Sequence, residues 1–407
     1  MIDPGELLTA ARADKPWLQE IRRDLHQHPE LGLEEHRTAK RVQGWLDELG
    51  IENVGGVGQT GVVGLIYGKA GQDSGGNSEG TSDGRTVALR ADMDALPLQD
   101  AKEVPYRSQI AGKMHACGHD VHMTVLLGAA RLLAERRDEF SGVVKLLFQP
   151  AEETVGGAQL MIADGVLEDP PVAAIFGLHV DPGMDVGSVG VRYGQRNASS
   201  DTVTLTINGR SGHGAYPAGA VDAIVVAAHV VTAIQSVVSR NIDARRSAVV
   251  SFGTVSGGTQ GNIIANRVRL VGTVRALEPE IRSRVLERVK EIAEGVASGL
   301  GGSAELTVEP GYEPLINHDE IVDIVRGNVV RLVGEDRLVI RPYPNMGVED
   351  FAYYVSRVPG AFFSLGVRNQ AAGIVHPVHN ELFDADEDCL ALGAAVQALN
   401  ALSVLEN

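Results

Sequence analysis

Residues 142–180 read GVVKLLFQPAEETVGGAQLMIADGVLEDPPVAAIFGLHV, and this stretch decides the fold. Positions 142–148 and 172–180 are short, continuous apolar runs, the pattern of strands buried on both faces. Between them GAQLMIADGVL (157–167) reads as a helix. Strand, helix, strand in that order favours a parallel sheet covered by helices. Ligands of such sheets gather beyond the carboxyl ends of the strands. Both strands end on chemistry: Glu152 and Glu153 follow the first, and His179 closes the second. An isolated Glu-Glu is more often a solvated pair, and a single strand-end His is more often a satisfied core residue. Neither decides function alone.

Upstream lies MHACGHDVHM (114–123). The chain has 12 histidines and two cysteines, and three of the histidines and one cysteine fall in this decapeptide. Cys117 and His119 are too close to share one helical face. They suit a loop entering a helix N-terminus, where a thiolate is favoured. A helix is expected from about Asp120 through VLLGAARLLAE. Further upstream, VVGLIYG (62–68) and TVALRADMDAL (86–96) read as strands. A helix is expected over 15–49, with Trp17, Ile21 and Leu25 on one face and Gly50 as its stop. The Gly/Ser-rich stretch 71–84 reads as a surface insertion with no assigned role.

Downstream the character changes near residue 195. DTVTLTING (201–209), a long helix over 221–240, SAVVSFGTV (247–255), RVRLVGTVRAL (267–277) and a second long helix over 279–300 follow in turn. A βαββαβ unit of this kind reads as an inserted ferredoxin-like α+β domain. The earlier style then resumes with a helix near 318–333, a strand GAFFSLGV (360–367) and a closing helix over 387–404. A discontinuous domain, 1–194 and 309–407, is therefore expected around an insertion at 195–308. VHPVHNELFDADEDCL (375–390) places His376 and His379 in a loop before the last helix.

The chain has 407 residues, 44% of them hydrophobic, enough for more than one core. A formal net charge of −17 argues against nucleic-acid or anionic-membrane partners and tolerates cations. No basic segment followed by an apolar stretch opens the chain, and no apolar run reads as long enough to span a membrane. Two cysteines make no disulfide framework, so a reducing cytoplasm is expected.

The candidate donors are a thiolate, one or two carboxylates and several imidazoles. A structural zinc site draws on two close ligand pairs in a closed shell. Here the donors run from Cys117 to His379 and include carboxylates, which fits a catalytic site and suits two ions better than one. Such a centre polarises a carbonyl and acidifies water, the chemistry of metal-assisted hydrolysis.

With these motifs in hand, the chain resembles the dimetal amidohydrolases of the aminoacylase and carboxypeptidase type, in the branch of the hippurate and auxin-conjugate hydrolases. The resemblance rests on DLHQHPELGLEE (24–35), TVALRADMDALP (86–97), MHACGHDVHM, LLFQPAEE (146–153), GLHV (177–180), SGHGAYP (211–217), GNIIANRVRLVGTVRA (261–276), MGVEDFAYY (346–354) and VHNELFD (378–384). It implies an α/β, zinc-peptidase-like catalytic domain, a mixed central sheet flanked by helices, with the insertion as lid and dimerisation domain. It implies two divalent cations per subunit on Cys117, His119, Glu153, His179 and His379, with Cys117 bridging. Zinc is the first expectation, and manganese, cobalt or nickel suit the same donors. Glu152 matches the general base. His213 matches a group that stabilises the oxyanion of a neighbouring active site. Asn262 and Arg275 match substrate contacts, Arg275 through the substrate carboxylate. His115, His122, Asp92, Asp94 and Asp120 are read as groups that orient the ligands. The implied substrate is an N-acyl amino acid, with a dipeptidase or carboxypeptidase on the same site as the alternative. A homodimer, or a higher assembly built from it, is implied. A non-catalytic metal- or ligand-binding homologue is disfavoured by the presence of Glu152. One departure stands out: Ala218-Gly219 follows GAYP, where these enzymes often carry a histidine.

Overall fold

The computed structural model describes residues 2–69 and 85–406. The expected surface insertion at 71–84 lies outside the described residues. The chain divides into two compact units, Met1–Gly194 with Asn317–Tyr343 and Tyr353–Asn407, and Gln195–Ile316 with Pro344–Ala352.

The first unit is built on an eight-stranded mixed sheet. Its order is Glu52–Val57, Gly61–Tyr67, Val143–Gln149, Thr86–Asp92, Val172–Asp185, Gly360–Arg368, Val189–Val191, Leu338–Ile340. The centre is parallel: Thr86–Asp92 runs parallel to both Val143–Gln149 and Val172–Asp185, and Gly360–Arg368 runs parallel to Val172–Asp185. Thr86–Asp92, Val143–Gln149 and Gly360–Arg368 are buried almost throughout, which is why they read as largely apolar runs. The helices His119–Ala134 and Cys389–Leu405 are buried nearly all round, as a core helix must be when its sequence lacks a polar face. They approach closely: a Cβ on Gly128 would stand 2.8 Å from Ala394 Cβ.

The single helix expected over 15–49 is two helices, Lys15–Gln27 and His36–Glu48. Pro29 is the cause. The residue before a proline is pushed out of the helical region, and His28 sits at φ −129, ψ 57. Gly50 does end the second helix region, at φ 63.

The second unit is a four-stranded antiparallel sheet in the order Ala248–Gly257, Arg267–Ala276, Ser199–Asn208, Ser303–Pro310. Two helices, Ala223–Ser236 and Pro279–Gly299, complete a ferredoxin-like βαββαβ order. The expected boundary at 308 falls inside the strand Ser303–Pro310. That strand pairs along Ser199–Asn208, so the unit extends to Ile316. The apolar segment Ala223–Asn241, 19 residues, meets the length and composition of a membrane span, although no such run was expected. One face of it packs into the core of this unit: Ala223, Val226, Ala227, Val230 and Ile234 join the cluster that includes Val203, Leu205 and Leu270 of the sheet.

Candidate metal centre

Four segments of the first unit converge at the carboxyl ends of its parallel strands, as expected for such a sheet. Val143–Gln149 leads into a turn bearing Glu152 and Glu153, with Ala151 at φ 53. Val172–Asp185 carries His179. Gly118, at φ 84, turns the chain into the helix that begins at His119. His379, itself at φ 61, lies in the loop before the last helix.

Cys117 Sγ is 3.3 Å from His179 Nε2 and 3.3 Å from His379 Nε2. His379 Nε2 is 3.0 Å from Glu153 Oε1, and His119 Nε2 is 4.0 Å from the same oxygen. Two triplets, Cys117–His119–His179 and Cys117–Glu153–His379, each gather their donor atoms within 4.8 Å of one another. Cys117 belongs to both. A third group, His119–Glu152–Glu153, sets Glu152 beside the shared donors.

Partners behind the site hold His179, Glu153 and His379. His179 Nδ1 donates to the Val180 carbonyl at 2.7 Å, which leaves Nε2 facing Cys117. His122 holds the same residue from the other side. Its Nδ1 donates to Asp92 at 2.6 Å, and its Nε2 accepts the Val180 N–H at 2.9 Å. Both ring nitrogens are used, so His122 is no ligand even though Asp92, His119 and His122 lie close enough to hold an ion. Arg90 in turn donates to Asp92 at 2.7 Å. Asp94 accepts the backbone N–H groups of Glu152 and Glu153, each at 3.0 Å, and its Oδ1 lies 3.3 Å from His119 Nδ1. Buried Glu35 accepts the Ala151 N–H at 2.9 Å and the Thr60 hydroxyl at 2.6 Å. Three successive amides of the turn are thereby fixed by two carboxylates. The His379 amide donates to the Ala116 carbonyl at 2.8 Å.

The electrostatics call for cations. Burial, Glu153 and Glu152 push the Cys117 thiol well above its ordinary range. Burial works against a charge on His119, yet Asp92 and Asp94 hold its pKa up at about 10. Burial would raise Glu153, but the bond from His379 and the charge of His119 bring it down to about 2. Protons on imidazoles are balancing carboxylates here, and a divalent cation would displace them. His119 Nε2 is buried without a hydrogen-bond partner among the described residues. A buried orphan of this kind needs a reason, and an open coordination direction supplies one. The donor set of thiolate, imidazole and carboxylate fits a divalent transition metal.

The other expected residues, His213, Asn262 and Arg275, belong to the second unit. His213 and Asn262 lie together at a small two-stranded ladder of the second unit, made by segments distant in sequence: His213 pairs with Ile263, and the Gly214 amide donates to the Asn262 carbonyl at 2.8 Å. His213 is exposed, and its Nδ1 accepts the Ala215 N–H at 3.1 Å. Arg275 lies on the strand Arg267–Ala276 and donates to the Val274 carbonyl at 3.2 Å. Of the five residues expected to orient ligands, Asp92, Asp94 and His122 touch the ligand-bearing backbone or rings. Asp120 instead accepts from Arg22 and His26, and neither ring nitrogen of His115 has a hydrogen-bond partner among the described residues. Glu35 and Arg90 were not anticipated. Arg90 carried a signal, a charge inside an apolar strand; Glu35 carried none.

Three comparisons bear on identity. The description Peptidase family M20/M25/M40 matches residues 88–402. The chain is 38% identical to the N-acetylcysteine deacetylase of Bacillus subtilis, over 97% of this chain and 99% of that one. It is 37% identical to thermostable carboxypeptidase 2 of Saccharolobus solfataricus, over 95% of each. Among solved structures, the YXEP protein of Bacillus subtilis, described as a dinuclear metal binding peptidase of the M20 family, superposes with a TM-score of 0.84. It is 34% identical and covers 97% of this chain and 99% of that chain. The chain therefore belongs to peptidase family M20/M25/M40 and is a metal-dependent amidohydrolase.

Proposed function

We propose that the enzyme hydrolyses the amide bond of N-acyl amino acids, releasing a carboxylic acid and a free amino acid. The observation that carries this reading is the pair of donor triplets sharing Cys117, with Glu152 beside them. Cys117, His119, Glu153, His179 and His379 would hold two divalent cations, zinc first by donor chemistry. Bound there, the cations would acidify water and polarise the scissile carbonyl. Glu152 would accept the proton of the attacking water as its oxygen bonds to the carbonyl carbon. It would then deliver that proton to the amide nitrogen as the carbon–nitrogen bond breaks. Asp94, by fixing the Glu152 and Glu153 amides, keeps base and ligand in register.

The substrate class is supported by what two relatives share. A deacetylase of N-acetylcysteine and a carboxypeptidase both release an amino acid whose α-carboxylate is free. His213 would donate to the oxyanion of a neighbouring subunit's site. Asn262 and Arg275 would contact the substrate, Arg275 as a carboxylate partner. These three roles rest on resemblance. A homodimer through the inserted unit is supported by the edge strand Ala248–Gly257 and by exposed Ile224, Val225 and Val255. A cytoplasmic setting suits the free cysteines Cys117 and Cys389. The second reading, a dipeptidase or carboxypeptidase using the same residues, is favoured by the carboxypeptidase relative.

The test is amino-acid release from a panel of N-acyl amino acids and dipeptides by the zinc- or manganese-loaded enzyme, with Glu152→Gln in parallel. Loss of about 10²–10⁴ in kcat with metal content retained is expected for removal of a general base. A variant that keeps wild-type kcat removes Glu152 from the chemistry. Preference for dipeptides over N-acyl amino acids selects the second reading.

A further inference from the structure

The strongest charge cluster outside the donor set lies behind it. Arg22, on the helix Lys15–Gln27, has a fully buried side chain. A guanidinium out of water persists only when fully paired. Its Nε donates to Asp120 at 2.9 Å, and another nitrogen donates to Asp384 at 2.6 Å. A third contact reaches Glu387 at 3.5 Å. One helical turn on, His26 Nδ1 lies 2.7 Å from the same Asp120 oxygen. His26 Nε2 is 3.1 Å from Lys102 Nζ and 3.2 Å from Asp100. The ring can therefore donate to Asp120 and accept from the ammonium. Tyr106 donates to Asp384 at 2.7 Å, and its ring lies 4.7 Å from the Arg22 guanidinium.

The two carboxylates that Arg22 grips are not placed at random. Asp120 directly follows His119. Asp384 closes the turn that begins at His379: the Leu382 amide donates to the Asn380 side chain and the Phe383 amide to the Asn380 carbonyl, both at 2.9 Å. The His119 side of this link lies in a buried helix that is anchored along its whole length. The His379 side is a loop without regular structure, held upstream by the His379 amide on Ala116. Downstream it is held by Arg22.

We propose that Arg22 is a positioning residue that fixes the His379 loop against the His119 helix, and so sets the affinity of the ion shared by Cys117, Glu153 and His379. This rests on the dimetal reading above. Arg22 touches neither ligand atoms nor substrate. Lysine cannot replace it, because a point charge cannot span the carboxylates that a planar guanidinium holds together.

The experiment is cobalt(II) titration of the metal-free full chain against a chromophoric chelator, with thiolate charge-transfer absorbance as a second signal. Wild type, Arg22→Lys and Asp384→Asn are compared, and kcat and KM are measured on the loaded proteins. Wild type is expected to take two ions. Both variants are expected to lose about 10–100-fold in affinity for one ion only, with kcat reduced and KM unchanged. Variants that melt earlier but bind both ions as wild type does overturn the proposal, since that is what a purely structural arginine would give. If Arg22→Lys does not fold, Asp384→Asn decides alone. Wild-type protein that takes fewer than two ions overturns the dimetal reading, and the proposal with it.

Discussion

Gly118 is the position at which one methyl group should do most damage. It stands between Cys117 and His119 at φ 84, a region where a side chain collides with its own backbone. A Cβ there would also stand 2.5 Å from Val180 Cγ2 and 3.4 Å from Cγ1. Val180 cannot rotate away cheaply, because a β-branched side chain is stiff at χ1. Its backbone is committed too, since its N–H is held by His122 and its carbonyl by His179. For Gly118→Ala, the left-handed conformation costs about 1–2 kcal/mol. Overpacking against Val180 adds about 1–3 kcal/mol. The sum is about 2–5 kcal/mol of stability in the metal-free protein. Any retreat of Val180 carries His179 away from Cys117, so metal affinity should fall by about 10–100-fold as well. Urea unfolding of metal-free wild type and variant measures the first effect, and chelator competition measures the second. A stability change under about 0.5 kcal/mol, the range of an ordinary surface substitution, together with unchanged affinity, would refute the reasoning.

His115 should make the metal-free protein sensitive to acid. Burial lowers its pKa from 6.5 to about 3. Between those values the unfolded chain binds more protons than the folded one, so stability rises with pH. The contribution is complete above about 6.5 and is lost as pH falls towards 3, up to roughly 5 kcal/mol. His115→Leu should flatten the urea midpoint between pH 6.5 and 4, and curves parallel to wild type would contradict the buried neutral imidazole. Val255 is 68% exposed on the edge strand of the second unit. Val255→Lys should block edge pairing and shift the protein from dimer to monomer in sedimentation, and an unchanged dimer would exclude this edge from the interface.

The parallel centre of the first unit was legible because strands buried on both faces leave few polar positions to confuse the pattern. The donors were legible because cysteine and histidine are scarce in this chain and MHACGHDVHM gathers them. The break at Pro29 was also written in the sequence, but the apolar spacing of Trp17, Ile21 and Leu25 concealed it. The division of labour inside the decapeptide came from the family resemblance and not from the spacing of its residues. His119 and His122 sit at i and i+3 on one buried helix. Only the arrival of Asp92 from a different strand turns one of them into a support. Glu35 and Arg22 were invisible for the same reason. Their partners at Ala151, Asp120 and Asp384 are distant in sequence, and an isolated acid or base on an amphipathic helix reads as solvated surface.

Small zinc domains fold only when the metal binds, because their cores are too small to stand without it. The first unit differs in how its donors are anchored. His179 is fixed through Val180 by the Arg90–Asp92–His122 chain. Glu153 is fixed through the amides that Asp94 and Glu35 hold, and His379 through Ala116. None of these bonds uses a coordinating atom. The supports end on buried carboxylates, each satisfied by N–H or O–H donors of the protein, the Arg90 guanidinium on Asp92 among them. A scaffold built this way holds its donors through bonds that need no ion, while Asp92 and Asp94 raise the pKa of His119 and the bond to Glu153 raises that of His379. Binding then requires proton release more than rearrangement. Metal affinity should accordingly be governed by pH and by the supports behind the ligands rather than by folding, which is why substitutions at Gly118 and Arg22 are read through affinity as well as through stability.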